Sequence, residues 1–369
     1  MKYYIIAGEA SGDLHGSNLI AALKKLDGAA DIRCWGGDKM QAAGGTLVKH
    51  YRDLAFMGFT EVLMNLRTIF KNLAFCKEDI LQYKPDTLIL IDYPGFNLRI
   101  AKWAKQQGLK VIYYISPQVW AWKEGRVKMM KECIDKMLVI LPFEKDYYQN
   151  KWNWEVEYVG HPLVEEIERH KAQGTRHKLS DKPIVALLPG SRKQEIAKKL
   201  PVMLEVSKSF PDHQFIVAEA PSVDDTFYRT FTEKYSNVSA VKNQTYDLLL
   251  QSKAALVTSG TATLETALFG VPEVVCYKGS YISYQIGKRL VKVKYISLVN
   301  LIMDKLVVKE LIQNDMTSAN LKKELALLLT DEKKIEMIKK DYAALKDLLS
   351  QGGNASAKAA SLIYDLLRK

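Results

Sequence analysis

Thr87-Leu88-Ile89-Leu90-Ile91 runs directly into Asp92-Tyr93-Pro94-Gly95-Phe96-Asn97. Leucine and isoleucine on both faces predict a strand covered on two sides, the setting of a parallel sheet between helix layers. Residues 3–7, 32–35, 111–115 and 137–141 read as strands of the same kind. Between the first two, residues 14–26 place apolar side chains at 19, 20, 23 and 26, a helical period. Strand and helix alternate, which is the rhythm of a doubly wound α/β domain.

The rhythm breaks at His161-Pro162, and residues 169–183 read as a polar linker. It then restarts with strand 184–188, helix 195–210, strand 214–218, strand 254–258, helix 262–269 and strand 273–277. From about residue 318 the chain reads as helical, ending in 355–367. The expected fold class is therefore α/β, with two Rossmann-like domains facing a cleft.

Composition narrows the function. The 369 residues are 48% hydrophobic and 26% charged, as in ordinary globular proteins. No apolar run approaches the ~20 residues of a spanning helix. The net charge of +11 is distributed, with 22 basic and 18 acidic residues up to Gly160 and 31 and 24 after it. That suits phosphate ligands, anionic lipid or nucleic acid alike, but no nucleic-acid-binding motif is present, so no nucleic-acid partner is expected. Cys34, Cys76, Cys133 and Cys276 form no C-x-x-C pair, and the six histidines show no metal-ligand spacing. Neither a metal nor a cofactor is expected. Reduced thiols, and a chain that enters a strand at once with no room for a signal peptide, point to the cytoplasm.

In open α/β sheets ligands sit outside the carboxyl ends of strands. Five such loops carry chemistry. Gly8-Glu9-Ala10-Ser11-Gly12-Asp13 lacks the dinucleotide spacing, and Ser11 or Asp13 could simply cap a helix, but Glu9 sets a carboxylate one residue past the strand. Asp92 stands at the exit of an apolar strand, where low-dielectric surroundings can tune it for acid–base work; a helix cap is the alternative. Ser116-Pro117-Gln118-Val119-Trp120-Ala121-Trp122 sets two indoles that could fill the core or line a sugar or acyl pocket. Gly190-Ser191-Arg192 suits phosphate, unless Arg192 is a solvated turn residue. Ser259-Gly260-Thr261-Ala262 enters a helix with Glu265 one turn on, where donors could take a diphosphate and the carboxylate a ribose; a capping arrangement is the alternative.

Residues 56–73 differ in kind. Phe59, Val62, Leu63, Leu66, Ile69, Phe70 and Leu73 form a helical stripe widened by Met57 and Met64, with Arg67 and Lys71 opposite. Such a stripe is core, or it lies on an anionic membrane or holds acyl chains. Lys288-Arg289-Leu290-Val291-Lys292-Val293-Lys294 is a second basic cluster, fit for lipid headgroups or for a solvated face.

Taken together, Gly8–Asp13, Ile91–Pro94, Ser116–Trp122, Leu141-Pro142-Phe143-Glu144, Gly160-His161-Pro162, Leu187–Arg192, Ser259–Glu265 and Lys288–Val291 occur in an order that resembles the lipid-A-disaccharide synthases over nearly the whole chain. The resemblance implies a metal-independent GT-B glycosyltransferase of family 19. Its donor would be UDP-2,3-diacylglucosamine and its acceptor 2,3-diacylglucosamine 1-phosphate (lipid X), giving a β-1,6-linked disaccharide 1-phosphate and UDP with inversion. It implies work on the cytoplasmic face of the inner membrane as a peripheral protein, and C-terminal helices that return to the first domain and can be exchanged in a swapped homodimer. The domains would be 1–165 for acceptor and membrane, 166–345 for UDP-sugar, and 346–369 as the returning helix. Asp92 is the expected base and Glu9 the second choice. Ser191, Arg192, Ser259, Gly260, Thr261, Ala262, Glu265 and Asn300 would hold UDP. Gly8, Ser11, Gly12 and Asp13 form the glycine loop. Phe59, Val62, Leu63, Leu66, Ile69 and Phe70 would meet membrane or acyl chains. Two departures stand out. Pro94-Gly95-Phe96-Asn97 lacks the family's second acid, and Ser297-Leu298-Val299-Asn300 has valine where proline is usual.

Overall fold

A computed structural model describes residues 1–54, 66–175, 177–279, 284–285 and 293–368. The chain divides into two compact units, one of residues 1–162 joined by those from Ser350 onward, the other Leu163–Leu349.

The first unit is built on a parallel sheet of β1 (Lys2–Ala7), β2 (Asp31–Gly36), β3 (Thr46–His50), β4 (Thr87–Ile91), β5 (Lys110–Tyr114), β6 (Lys136–Val139) and β7 (Glu157–Tyr158). Their order is β3-β2-β1-β4-β5-β6-β7. Around it lie α1 (Ala10–Leu26), α2 (Asp38–Ala42), α3 (Leu66–Tyr83), α4 (Pro94–Gln106), α5 (Arg126–Cys133) and α6 (Pro142–Trp152). Tyr4, Leu88, Leu90, Val111 and Tyr113 alternate with Tyr3, Ile5, Ile89 and Ile112, and all are fully buried, because helices cover both faces. A buried polar knot ties α3 to the sheet. Trp35 Nε1 donates to Tyr4 Oη (2.8 Å), which donates to Asp79 Oδ2 (2.6 Å), and Arg33 grips the same carboxylate with two nitrogens. Each buried polar group thereby has a partner, as low-dielectric surroundings require.

In the second unit the order is β10-β9-β8-β11-β12-β13, again wholly parallel. The strands are β8 (Ile184–Leu188), β9 (Gln214–Glu219), β10 (Val238–Lys242), β11 (Ser252–Thr258), β12 (Glu273–Tyr277) and β13 (Lys309–Ile312). Its helices are α7 (Pro162–Gln173), α8 (Lys193–Ser207), α9 (Asp225–Thr232), α10 (Thr245–Gln251), α11 (Thr261–Phe269), α12 (Leu298–Met303), α13 (Ser318–Thr330) and α14 (Glu332–Ser350). The last helix, α15 (Ala355–Arg368), packs along α1 through Ala355, Ser356, Ala359, Ala360 and Ile363, mostly small residues that permit close approach.

The buried strands lie where their hydrophobic runs place them. The linker expected at 169–183 is a correction: α7 continues to Gln173, because Glu165, Glu166, Glu168, Lys171 and Ala172 are helix formers and its apolar seam is only Leu163 and Ile167. The apolar stripe also divides. Phe59, Val62 and Leu63 lie outside the described residues, as do residues 288–292 of the second basic cluster. Ile69, expected to face lipid, instead packs against the core with Leu73, Cys76 and Ile80, which follow at helical spacing. Phe70 is 60% exposed, beside exposed Arg67 and Lys71.

One buried group works against stability. Glu273, at the start of β12, is 1% exposed, and neither carboxyl oxygen has a hydrogen-bond partner among the described residues. Burial holds its carboxyl well above the usual range. A raised folded-state pKa favours folding at low pH and loses that contribution as pH rises. Glu273→Met should therefore raise the melting temperature more at pH 8 than at pH 4, by about 1–3 kcal/mol of stability. Equal effects at both pH values in calorimetry would refute this account.

Candidate active site

In both sheets the strand order reverses at one point, between β1 and β4 and between β8 and β11. That switch point opens a crevice at the carboxyl ends. All five loops singled out by sequence lie at carboxyl ends, and four of them flank the two switch points.

In the first unit Glu9 follows β1 and forms the extended N-cap of α1. Gly8 must be glycine, since a Cβ there would come within 2.3 Å of the Tyr93 ring. Asp13 is buried and turned inward, accepting from the backbone N–H groups of Gly37 (2.7 Å), Met40 (3.0 Å) and Lys39 (3.2 Å). It caps α2 and fixes the loop rather than facing a ligand. Gly12 is buried in α1 and Ser11 is exposed.

Asp92 follows β4 with φ +45°, and Tyr93 has φ +48°. Two successive non-glycine residues in the left-handed region are strained, and surroundings that fix them are needed. Here Tyr113 Oη and Asn97 Nδ2 both donate to the Asp92 carbonyl (2.5 and 2.8 Å), and Asp92 N–H donates to Tyr114 O (3.1 Å). Ile115, at the exit of β5, adds a third strained residue at φ +67°. Burial first, then the Glu9 carboxylate, push the Asp92 carboxyl up to about 7, while the N–H of Tyr93 works the other way. An acid poised there exchanges protons at neutral pH.

Glu144 is the residue whose role the sequence reading missed. It is 1% exposed and accepts from Leu141 N–H (3.1 Å) and Trp120 Nε1 (3.1 Å). Burial pushes it up to about 7, and Asp92 adds to the rise. Its signal was the one used for Asp92, an acid just past a buried strand, here three residues into a Pro-initiated helix. Thus Glu9, Asp92 and Glu144 share one electrostatic neighbourhood. The tryptophan loop splits. Trp120 packs edge-on to Phe143 at 4.9 Å, whereas Trp122 is 46% exposed. His15 and His161 are buried and stay neutral near pH 7, lowered by burial to about 4 and about 3.

In the second unit Gly190, at φ +115°, lets the loop after β8 turn into α8. A Cβ there would lie 3.0 Å from Glu195 Oε2. Glu195 pairs with exposed Arg192 (3.1 Å) and buried Lys199 (3.7 Å). Ser191 is exposed on the same turn. After β11, Ser259 Oγ donates to Ile296 O (2.8 Å). Gly260 is the N-cap of α11, and Thr261 and Ala262 open a first turn with no acidic residue. The N-terminus of α11 thus offers its dipole to an anion. Glu265 Oε1 accepts from Tyr246 Oη (3.0 Å), and burial raises its carboxyl pKa. Asn300 is fully buried. Its Oδ1 accepts from Val307 and Val308 N–H (2.8 and 3.0 Å), and its Nδ2 donates to Val308 O and Glu310 (both 2.9 Å). Both ends of the amide are engaged, so Asn300 shapes this loop rather than reaching out from it.

A profile described as Lipid-A-disaccharide synthetase matches residues 3–364. The Lipid-A-disaccharide synthase of Syntrophus aciditrophicus is 39% identical over 99% of this chain and 97% of its own length. Lipid-A-disaccharide synthase 1 of Legionella pneumophila (strain Lens) is 37% identical over 99% and 96%. Among solved structures, the glycosyltransferase of kitacinnamycin aligns at TM-score 0.68 with 14% identity, covering 99% of both chains. A UDP-GlcNAc 2-epimerase from Neisseria meningitidis, bound to UDP-GlcNAc, aligns at 0.67 with 12% identity, covering 100% of each. These two establish the fold, the GT-B class of paired Rossmann-like domains. With near-complete profile coverage and relatives well above the identity at which homology is secure, the chain belongs to the lipid-A-disaccharide synthetase family.

Proposed function

We propose that the protein transfers 2,3-diacylglucosamine from its UDP conjugate to the 6-hydroxyl of 2,3-diacylglucosamine 1-phosphate, releasing UDP with inversion. The coarser statement stands on family membership: this is a UDP-sugar glycosyltransferase of lipid A biosynthesis. The observation that carries the finer reading is Asp92, a half-buried carboxylate raised to about 7 at a switch point.

Asp92 takes the proton of the acceptor hydroxyl as its oxygen attacks the anomeric carbon, and the bond from that carbon to the UDP oxygen breaks. Glu9 keeps Asp92 basic and is not itself the base. The leaving diphosphate gains charge, which the N-terminus of α11, the Ser191 turn and Arg192 disperse. Glu265, held by Tyr246, accepts the ribose hydroxyls through its other oxygen. Asn300 acts through the loop it braces. Among the described residues no helix is long and apolar enough to cross a membrane. Exposed Phe70 between Arg67 and Lys71 fits peripheral contact with the cytoplasmic face of the inner membrane, where both lipid substrates reside. In a swapped homodimer, the groove on α1 that receives α15 would be filled by the partner's helix.

The test is UDP release with acylated donor and acceptor compared with their unacylated counterparts. Strong preference for the acylated pair is expected. Equal rates would exclude the lipid substrates.

A further inference from the structure

We propose that Arg126 and Lys123, on the tryptophan loop beside Asp92, bind the phosphate monoester of the acceptor. This rests on the reaction assigned above and names a subsite of it.

The loop after β5 contains Lys123, at φ +58°, and Arg126 at the first position of α5. Lys123 is exposed and Arg126 half-buried, and neither has a carboxylate partner among the described residues.

 The loop's own acid, Glu124, is drawn away by Lys151 and by Tyr147 Oη, which donates to it at 2.8 Å. Lys123 Nζ lies 3.9 Å from the centre of the exposed Trp122 ring, which holds the ammonium in place. Burial, then the charge of Arg126, lowers the Lys123 pKa. Two cations that repel each other in this way are relieved by an anion between them.

The pair also has the right neighbour. Tyr113 feels both Asp92 and Arg126, and its hydroxyl donates to the Asp92 carbonyl. The same loop is anchored through Trp120 to Glu144, which in turn feels Asp92. A hexose whose 6-hydroxyl meets Asp92 presents a phosphate on its first carbon about one ring away. A phosphate monoester takes the planar fork of arginine in two hydrogen bonds, with lysine as a point charge.

The experiment measures kcat/KM for 2,3-diacylglucosamine 1-phosphate and for its dephosphorylated form, in neutral detergent micelles. The wild type should favour the phosphorylated acceptor. Arg126→Ala and Lys123→Ala should each raise its KM by about 10- to 100-fold, the scale of a lost charge-assisted hydrogen bond, with donor KM unchanged. The ratio between the two acceptors should fall toward one, and Arg126→Lys should restore part of it. If Arg126→Ala melts early, exposed Lys123→Ala decides. Variants that keep the wild-type preference would overturn the proposal. So would a defect seen only on phosphatidylglycerol vesicles, which would assign the cations to bilayer headgroups. If the wild type turns over neither acceptor, the assigned reaction falls as well, a result distinct from either of these.

Discussion

Asp92→Asn should lower kcat by on the order of 10²–10⁴-fold, the usual cost of losing a general base, with UDP affinity unchanged. The amide keeps the shape, and asparagine tolerates the left-handed backbone that φ +45° requires. The loops assigned to UDP lie in the other unit. In the wild type, kcat/KM should rise as pH increases through about 7, because the base works only when ionised. Stability should run the opposite way. A carboxyl raised from 3.8 to about 7 contributes stability fully below its unfolded value and loses it as pH rises through the folded one. At pH 8 the variant should therefore be more stable than the wild type, by about 2–4 kcal/mol. A variant with more than about a tenth of wild-type activity would remove Asp92 from the role. A variant that is inactive and also less stable at pH 8 would point to a structural role.

Donor binding should fall by different amounts at two positions. Glu265→Gln replaces an acceptor oxygen aimed at the ribose and disturbs the bond from Tyr246. About a 10- to 100-fold loss of UDP affinity is expected, the worth of a hydrogen bond to a charged group. Arg192→Ala should cost less, about 3- to 10-fold, because the exposed guanidinium is already paired with Glu195 and screened by solvent. Titration calorimetry with UDP reads both. Unchanged affinity in the two variants would mean that the donor loops are misassigned.

The hydrophobic pattern was enough to locate the buried strands. Runs such as 87–91 and 184–188 have no soluble alternative to a covered parallel sheet, and each ends in a loop that must lie at a carboxyl end. The chemistry-bearing loops were legible for that reason. The strands the sequence reading left out, β3, β7, β10 and β13, lie at or next to sheet edges. Half-exposed and short, they carry no continuous apolar run for a sequence to display. The extension of α7 was hidden for a similar reason, since two buried side chains set too weak a period.

What no local pattern could supply was the state of each polar group. Asp92 is raised first by its burial and then by Glu9, which the pairing of β1 with β4 brings near although the two are far apart in the chain. Glu144 and Trp120 meet only because β5 and β6 are neighbours. Asp13 and Asn300 look in sequence like residues free to bind a ligand, yet the fold gives their side chains backbone partners from other loops. Sequence fixes residue type and periodicity, which decide strands and helices through local sterics and burial. Desolvation and hydrogen-bond partners depend on which distant segments converge, and those were decided only by the strand pairing and loop packing within each folded unit.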